Sequence, residues 1–410
     1  MNIDFSLKEE EKKWMKAEVS KFLGLLVGGV KKKKAKADVF VGGSYAKGTL
    51  ACSEEYDIDV FVRFDWKYED LSYELEKILK GVFGKKYVVE KLHGSRDYFR
   101  IYRDKKLTFE VIPVVRIKKV REARNVTDLS YFHVGYVKRN VKGKIGKEIL
   151  LAKKFCKGVG VYGAESYIGG FSGYGLECLI INYKSFEKML RELIKVENRV
   201  VLDPAKLYRK KEDILIELNE SKLHSPIILI DPTWKERNVL AALSMETFRK
   251  FQTEAKEYLK SKDKESFFRV EKFDVEKFKK KKGEFVKVVL ETDRQEGDIA
   301  GTKMKKFSKF LIREAEKYFE VIGSAFVYFG EKKAEIYLIG KAKKEFVKMG
   351  PPVEMVKEVK RFRSRNKGNI FEREGRVWVR EKVDFSLKEF IKEIDKKVVR
   401  EMRIVKMRVI

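Results

Sequence analysis

The sequence predicts an α+β multidomain protein with a mixed-sheet N-terminal part, a helical middle and an α+β C-terminal part. Three observations predict this class. The chain has 410 residues, which exceeds the length at which a single core stops growing. Strand-like and helix-like segments alternate in the N-terminal third, whereas apolar residues at helical spacing dominate the middle. A strand, a helix and two further strands then follow. We therefore expect domains at 1–143, 144–261 and 262–410.

The N-terminal part has the pattern of a mixed sheet flanked by helices. Ser6 and Glu9 form a predicted capping box for a helix over 6–26, and a second helix is predicted over 68–80. Five strand-like segments rich in β-branched and aromatic residues accompany them. These segments are Ala37–Val41, Ile58–Phe64, Tyr87–Leu92, Tyr98–Tyr102 and Thr108–Val114.

Helix signals dominate the middle of the chain, where Ser172 and Ser185 are good N-caps. The segment 211–225 is predicted as a loop or hairpin. The predicted helices are 146–157, 172–183, 185–196 and 245–259. In the C-terminal part, the order is a strand, a helix and two strands, at 285–291, 302–318, 319–329 and 334–339. Gly350-Pro351-Pro352 then breaks the chain before another helix and a strand at Val377–Val379.

Charge is the strongest compositional signal. Lys and Arg number 93 against 63 Asp and Glu, a formal net charge of +30. Such a field attracts polyanions, so we expect nucleic acid as a partner. The cysteines Cys52, Cys156 and Cys178 have no paired spacing, which argues against a disulfide framework or a zinc cluster. No run of about 18 apolar residues occurs, and the polar, charged start is unlike a signal peptide. We expect a cytoplasmic protein without a membrane span.

The segment 42–62 is the most informative in the sequence. Asp57 and Asp59 lie two residues apart in a strand-like run, so their carboxylates point to one face of it. The glycine turn at Gly43 and Ser44 presents backbone N–H groups suited to phosphate oxygens. Mg²⁺ prefers oxygen ligands, usually a few carboxylates with phosphates and water. The segment therefore predicts a site where Mg²⁺ is held against a nucleoside triphosphate.

A third carboxylate is expected from a neighbouring strand. Glu110 is an acidic residue within an otherwise apolar strand, a costly placement unless it faces a metal or a polar cleft. Asp104 is the nearby alternative. Taken singly, an Asp-x-Asp pair is typical of a solvated strand face and Gly-Gly-Ser of an ordinary turn. The ordered set of strand, turn, paired aspartates and acidic third strand is much rarer.

The spacing Gly43-Ser44-x₁₂-Asp57-x-Asp59 resembles the signature of the DNA polymerase β-like nucleotidyltransferase superfamily. More narrowly, the chain resembles the archaeal-type (class I) CCA-adding tRNA nucleotidyltransferases, and the resemblance runs through nearly its whole length. The matching segments beyond the signature are 128–133, Lys153 with 162–165, 170–174, 231–233, 237–244 and 350–353.

The resemblance implies template-independent addition of C, C and A to the 3′ end of tRNA, from CTP and ATP, with release of pyrophosphate and two Mg²⁺ ions. It implies Asp57, Asp59 and Glu110 as catalytic metal ligands, although Glu110 stands where the family usually has Asp. It also makes a homodimer plausible. The residues that it implies for nucleotide binding are Gly43, Ser44, Lys47, His133, Lys153, Tyr162 and Arg237.

Some of these residues have ordinary structural alternatives. His133 and Tyr162 taken singly are more typical of a core, and Arg237 could pair with Glu236 or Asp231. If the resemblance holds, Lys47 binds triphosphate and Arg237 reads the incoming base through its planar donor fork.

The tRNA acceptor stem and T arm are expected to bind the C-terminal part. Its β-α-β-β order and charged surface are typical of small RNA-binding modules. The alternatives are a solvated helix face and a loose basic loop. The candidate residues are Lys303, Lys305, Lys306 and Arg313, and, in the run KRFRSRNK, Lys360, Arg361, Arg363, Arg365 and Lys367.

Two other functions remain open from the sequence. The acidic residues do not separate CCA addition from poly(A) or oligoadenylate polymerisation. A catalytically inactive RNA-binding relative is the second alternative, because Glu110 is one methylene longer than Asp and metal geometry tolerates little error.

Overall fold

The computed structural model describes residues 4–84, 87–94, 96–366 and 368–410. It divides into two compact units. The first unit comprises residues 4–164 and 168–270, and the second comprises 165–167 and 271–410. The described residues of the first two predicted domains, 1–143 and 144–261, thus lie in the first unit, apart from 165–167. The three predicted domains stay a prediction, since one compact unit can hold two domains.

The first unit begins with the predicted mixed sheet. The strand order is β1-β2-β5-β4-β3, with β2 and β5 parallel and the other pairs antiparallel. Its strands are β1 Ala37–Val41, β2 Tyr56–Phe64, β3 Val89–Leu92, β4 Tyr98–Tyr102 and β5 Leu107–Val115. The helices of this part are α1 Glu9–Lys32, α2 Gly43–Lys47, α3 Leu71–Val82 and α4 Ser130–Asn140.

One face of this sheet packs on the main core, and the other carries a smaller apolar cluster around Phe61 and Val114 but leaves the start of β2 accessible. In β2, Ile58, Val60 and Val62 are fully buried, whereas the alternate residues Asp57 and Asp59 point the other way. Buried aromatic rings join α1 to the sheet on the core side. The side chains of Phe22 and Phe109, for example, stack with ring centroids 3.9 Å apart. The period-2 burial of β2 therefore places its two aspartates on the open face.

The remainder of the first unit is mainly helical, as predicted, with a small three-stranded sheet, β6-β7-β8. Ser172 and Ser185 are N-caps that accept hydrogen bonds from backbone N–H groups at 3.0 and 3.5 Å. The predicted loop at 211–225 is wrong in part, because a helix occupies its start. The elements are α5 Ile145–Gly158, α6 Gly173–Tyr183, α7 Phe186–Ile194, β6 Val200–Leu202, α8 Lys211–Glu217, β7 Ile227–Asp231, β8 Trp234–Asn238 and α9 Met245–Lys260.

The second unit contains the predicted β-α-β-β order. Its larger sheet has the antiparallel order β10-β11-β9-β15, and a smaller one has the order β12-β14-β13. The helices are α10 Val275–Lys279, α11 Asp298–Ala315, α12 Val356–Arg365, α13 Leu387–Lys392 and α14 Lys396–Glu401. The strands are β9 Glu284–Thr292, β10 Phe319–Tyr328, β11 Lys333–Ala342, β12 Glu345–Pro352, β13 Asn369–Arg373, β14 Arg376–Lys382 and β15 Ile404–Val409. The predicted α+β class is confirmed.

The first helix starts later than its sequence predicts. Its N-cap is Lys8, and the backbone N–H of Ser6 donates to Asp4 Oδ1 at 2.9 Å. The hexapeptide DFSLKE of residues 4–9 recurs at 384–389, at the start of α13. There Ser386 does cap, since its Oγ accepts from the N–H of Glu389 at 3.1 Å. In the first copy Ser6 does not cap, and the helix begins only after Lys8. None of the helices formed by the described residues is long and apolar enough to cross a membrane.

Candidate active site

Three acidic side chains line up across the open face of the N-terminal sheet. The parallel pairing of β2 with β5 makes Glu110 the direct neighbour of Asp59 and places Thr108 beside Asp57. We call Asp57, Asp59 and Glu110 the acidic row. The structure thus brings together the three predicted carboxylates, although their role as metal ligands stays a prediction. Asp104 lies instead in the turn after β4, where its Oδ1 accepts from the N–H groups of Lys106 and Leu107 at 2.8 and 2.9 Å.

The acidic row is electrostatically crowded. Burial and the neighbouring carboxylates of Glu110 and Asp57 raise the pKa of Asp59 to about 7, against the opposing effect of Lys47. Like charges that share a partly buried site disfavour the ionised form. A cation among these oxygens would remove this cost. The row therefore has the electrostatic character of a cation site.

The donor set of the acidic row fits Mg²⁺ that arrives with a nucleotide. Within the described ranges, no group of three or more His, Cys, Asp or Glu side chains is arranged so that it could hold a metal ion by itself. Mg²⁺ rarely needs such a cage, because it binds through one or two carboxylates plus substrate phosphates and water. The row supplies only oxygen atoms and is open on one side, as this mode of binding requires.

The glycine turn packs directly on Asp59. The backbone N–H of Gly42 donates to the carbonyl of Asp59 at 2.9 Å. Gly43 has a φ of +57°, and a Cβ at this position would overlap Asp59 Oδ2. Both the backbone conformation and the space therefore require glycine at 43. The turn brings the start of α2, with Ser44, beside the acidic row.

Gly43→Ala is expected to lower nucleotide addition by at least about 10²-fold, because the added methyl group displaces the Asp59 carboxylate. Gly48→Ala is the matched control: Gly48 also has a positive φ, +70°, but no atom lies within 4 Å of its Cβ position. Steady-state rates of the two variants separate backbone strain, which they share, from displacement of Asp59. Equal losses in both would contradict the assignment.

Lys47 belongs to a buried ion network, which comprises Lys47, Thr49, Lys153 and Glu177. Its Nζ lies 2.9 Å from Glu177 Oε2. The other carboxylate oxygen, Glu177 Oε1, accepts from Thr49 Oγ1 at 2.6 Å and from Lys153 Nζ at 2.7 Å. Burial by itself opposes ionisation of Glu177, yet the two ammonium groups lower its pKa to about 2. The network thus joins the turn after α2 to helices α5 and α6.

Lys153 is held entirely within this network. It is 5% exposed, and its Nζ also donates to the carbonyl and the Oγ1 of Thr49, each at 3.1 Å. With Glu177, these contacts use all three of its donors. A direct contact between Lys153 and a nucleotide would require one of these three contacts to break. The role of Lys153 in nucleotide binding therefore stays a prediction, and its present contacts favour a positioning role.

A second cluster centres on the buried Asp231. Its Oδ2 accepts from Arg237 Nη1 at 2.7 Å and lies 3.0 Å from His133 Nε2. Its Oδ1 accepts from the Tyr174 hydroxyl at 3.1 Å and from the N–H of Thr233 at 2.8 Å. Of the two partners that the sequence left open for Arg237, the structure selects Asp231. Burial lowers the pKa of His133, which favours its neutral form.

Tyr174 connects the two groups of predicted residues. The Lys47 ammonium lies 4.9 Å from its ring centroid, and the His133 ring stacks on it at 4.2 Å. Tyr162 follows α5, and its hydroxyl fills the space beside Gly173, the first residue of α6. Lys47 and His133 therefore both contact Tyr174, while Arg237 contacts Asp231 and lies 3.2 Å from His133 Nε2 through its Nη1.

Comparisons with known proteins relate this chain to nucleotidyltransferases. A nucleotidyltransferase domain model matches residues 4–125, and a model of the second domain of tRNA nucleotidyltransferases matches 147–269. The CCA-adding enzyme of Nanoarchaeum equitans is 37% identical over 282 residues, covering 68% of this chain and 67% of that enzyme. This chain belongs to the family of CCA-adding enzymes. The family that the sequence motifs predicted is thereby confirmed.

Further members of the CCA-adding family cover more of the chain. The enzyme of Pyrococcus abyssi is 31% identical over 77% of this chain and 71% of its own length. That of Methanosarcina acetivorans is 30% identical over 88% of this chain and 80% of its own. A solved structure of the Cid1 poly(U) polymerase has a TM-score of 0.50 at 14% identity, covering 65% of this chain and 95% of that one. This last likeness shows a shared fold alone.

The sequence reasoning missed several residues of this CCA-adding family member. Glu177 carried a usable signal, because it is a lone acidic residue within the apolar run of α6, as Glu110 is in β5. Thr49 and Tyr174 gave no comparable signal. Their partners lie far away in the chain, and an isolated hydroxyl or aromatic residue fits many positions.

The candidate RNA-binding residues lie on two helices of the second unit. Lys303, Lys306 and Arg313 occupy the exposed face of α11. Arg361, Arg363 and Arg365 are exposed on α12, so the alternative of a loose basic loop is wrong for them. Arg363 forms a surface ion pair with Glu372 at 3.2 Å. Lys367 lies outside the described residues.

Proposed function

We propose that this protein adds C, C and A to the 3′ end of tRNA, using CTP and ATP and releasing pyrophosphate. The observation that carries the proposal is the acidic row beside the glycine turn, in a chain of the CCA-adding family. Such a site positions a triphosphate against carboxylates, and the basic second unit suits an RNA substrate.

In the proposed reaction, the RNA 3′ hydroxyl loses its proton to solvent as its oxygen forms a bond to the α-phosphorus of the nucleotide. The bond from that phosphorus to the oxygen shared with the β-phosphate breaks, and pyrophosphate leaves. Bound Mg²⁺ would lower the pKa of the attacking hydroxyl and neutralise the leaving group. Asp57, Asp59 and Glu110 would hold the metal through their carboxylate oxygens.

The remaining residues bind and orient the substrate. The turn at Gly43 and Ser44 offers N–H groups, and Lys47 offers an ammonium group, to the triphosphate. Tyr162 and His133 line the nucleotide pocket, and Arg237 directs its free donors toward the base while one nitrogen contacts Asp231. Lys153 acts through Glu177 on Lys47. The family and the contacts described above support these roles, and the family alone supports a homodimer.

The direct test is incubation of the protein with a tRNA transcript that lacks its 3′ CCA, Mg²⁺ and labelled nucleotides. CTP alone should extend the RNA by two residues, and CTP with ATP by three, after which addition stops. A long adenylate tail would indicate a poly(A)-type polymerase. No extension, with tRNA still bound, would indicate the inactive relative.

Binding of tRNA is expected to depend steeply on salt, because the net charge of +30 favours phosphate contacts. The logarithm of the association constant should fall with the logarithm of salt concentration. Replacing Arg361, Arg363 and Arg365 by Ala should reduce the slope by about 1 for each lost phosphate contact. Filter binding at several salt concentrations measures this. A slope near zero in the unaltered protein would contradict the proposed RNA interface.

A further inference from the structure

Glu110 has a second neighbour on the side opposite Asp59. The antiparallel pairing of β4 with β5 makes Arg100 its direct cross-strand partner. Arg100 Nη2 donates to Glu110 Oε1 at 2.8 Å, and Arg100 Nε donates to the same oxygen at 3.3 Å. Glu110 thus lies between a carboxylate on β2 and a guanidinium on β4.

Arg100 has a glutamate on each neighbouring strand and forms its ion pair with Glu110. Glu90 is its cross-strand neighbour on β3 and offers another carboxylate. That carboxylate accepts a hydrogen bond from the Tyr102 hydroxyl at 2.7 Å, whereas the ion pair of Arg100 goes to Glu110. Both side chains of this ion pair are partly accessible, at 31% and 22%, so the pair lies on the open face of the sheet.

The geometry of this contact leaves half of the Glu110 carboxylate uncommitted. Two nitrogen atoms of Arg100, Nε and Nη2, donate to Glu110 Oε1, and Glu110 Oε2 accepts neither of these hydrogen bonds. The Glu side chain is one methylene longer than that of Asp. The hydrogen bonds from Arg100 hold Oε1 on the side of β4, and this position accommodates the extra length. Metal-ligating carboxylates are commonly held by such an outer hydrogen bond, and its loss weakens metal binding by about 10- to 100-fold.

We propose that Arg100 is a positioning residue, which holds Glu110 by Oε1 so that Oε2 is presented to a divalent cation beside Asp59. This inference rests on the proposed function of the acidic row. It explains how a glutamate serves at this position in this chain. Arg100 itself does not touch the metal or the reacting atoms.

The test measures Mn²⁺ binding to the full-length protein by electron paramagnetic resonance, in the presence of a non-reactive CTP analogue. Arg100→Ala is expected to weaken Mn²⁺ binding by about 10- to 100-fold, and Arg100→Lys to restore part of it through a single donor. Arg103→Ala is the matched control, since Arg103 follows the same strand and pairs with Glu18 on α1 at 2.8 Å. It should bind Mn²⁺ as the unaltered protein does.

The outcomes separate the two proposals. If Arg100→Ala binds Mn²⁺ as tightly as the unaltered protein, or more tightly, Arg100 is not a positioning residue and at most competes with the cation. If Asp59→Asn also leaves Mn²⁺ binding unchanged, the acidic row is not the metal site and the proposed function fails with it. If only the Asp59 variant loses Mn²⁺, the function stands and the inference about Arg100 is wrong.

Discussion

Asp59→Asn is expected to abolish nucleotide addition, by about 10³-fold or more, while leaving tRNA affinity unchanged. The amide keeps the shape of the side chain but removes the charge that a metal needs. A loss of this size corresponds to roughly 4 kcal/mol in the reaction barrier. Incorporation of labelled CMP in a single turnover and a parallel tRNA-binding titration measure the two properties separately.

The control for this variant is Asp65→Asn. Asp65 follows the end of the same strand, and its Oδ1 accepts a hydrogen bond from the N–H of Lys67 at 3.2 Å, which an amide oxygen also accepts. The rate should therefore stay within about twofold of the unaltered protein, since the change is isosteric and lies outside the acidic row. Comparable activity in the Asp59 and Asp65 variants would show that the row does no metal chemistry.

Glu177→Leu is expected to destabilise the first unit by about 3–5 kcal/mol. The change leaves the ammonium groups of Lys153 and Lys47 without their buried carboxylate partner, and an uncompensated buried charge is costly. Adding Lys153→Met should recover much of this loss, since an apolar pair of similar volume often replaces a buried ion pair at little cost.

Urea unfolding measures this effect in a Trp378→Phe background. The remaining fluorophores, Trp14, Trp66 and Trp234, all belong to the first unit, so the signal reports that unit alone. Glu192→Leu is the control, because Glu192 forms an exposed helical ion pair with Lys195, and exposed ion pairs contribute little to stability. A loss below 1 kcal/mol in Glu177→Leu would contradict the account of the buried ion network.

The sequence predicted local features of the site well, because they depend on short-range periodicity. The alternation along β2 placed Asp57 and Asp59 on one face without knowledge of the fold. The acidic residue within β5 was identified through its cost in an apolar strand. The strand order, β1-β2-β5-β4-β3, was not predictable in this way, and it alone makes Glu110 the neighbour of both Asp59 and Arg100.

The main features of the site that the sequence did not predict are polar contacts between residues far apart in the chain. Lys153 is 104 residues from Thr49 and 24 from Glu177, and no local pattern encodes such pairs. Its predicted role as a nucleotide ligand came from the family resemblance, whereas its burial and three contacts came only from the structure. The start of α1 was also predicted wrongly, since the N–H of Ser6 donates to Asp4 Oδ1 and the N-cap is Lys8.

The most direct measurement of the central claim is anomalous diffraction from crystals of the protein grown with Mn²⁺ and CTP. The account predicts a manganese peak at ligating distance, about 2 Å, from carboxylate oxygens of Asp57 and Asp59, with the triphosphate over the Gly43 turn and Glu110 Oε2 turned toward the metal. Manganese located elsewhere, or a nucleotide bound away from this turn, would contradict it.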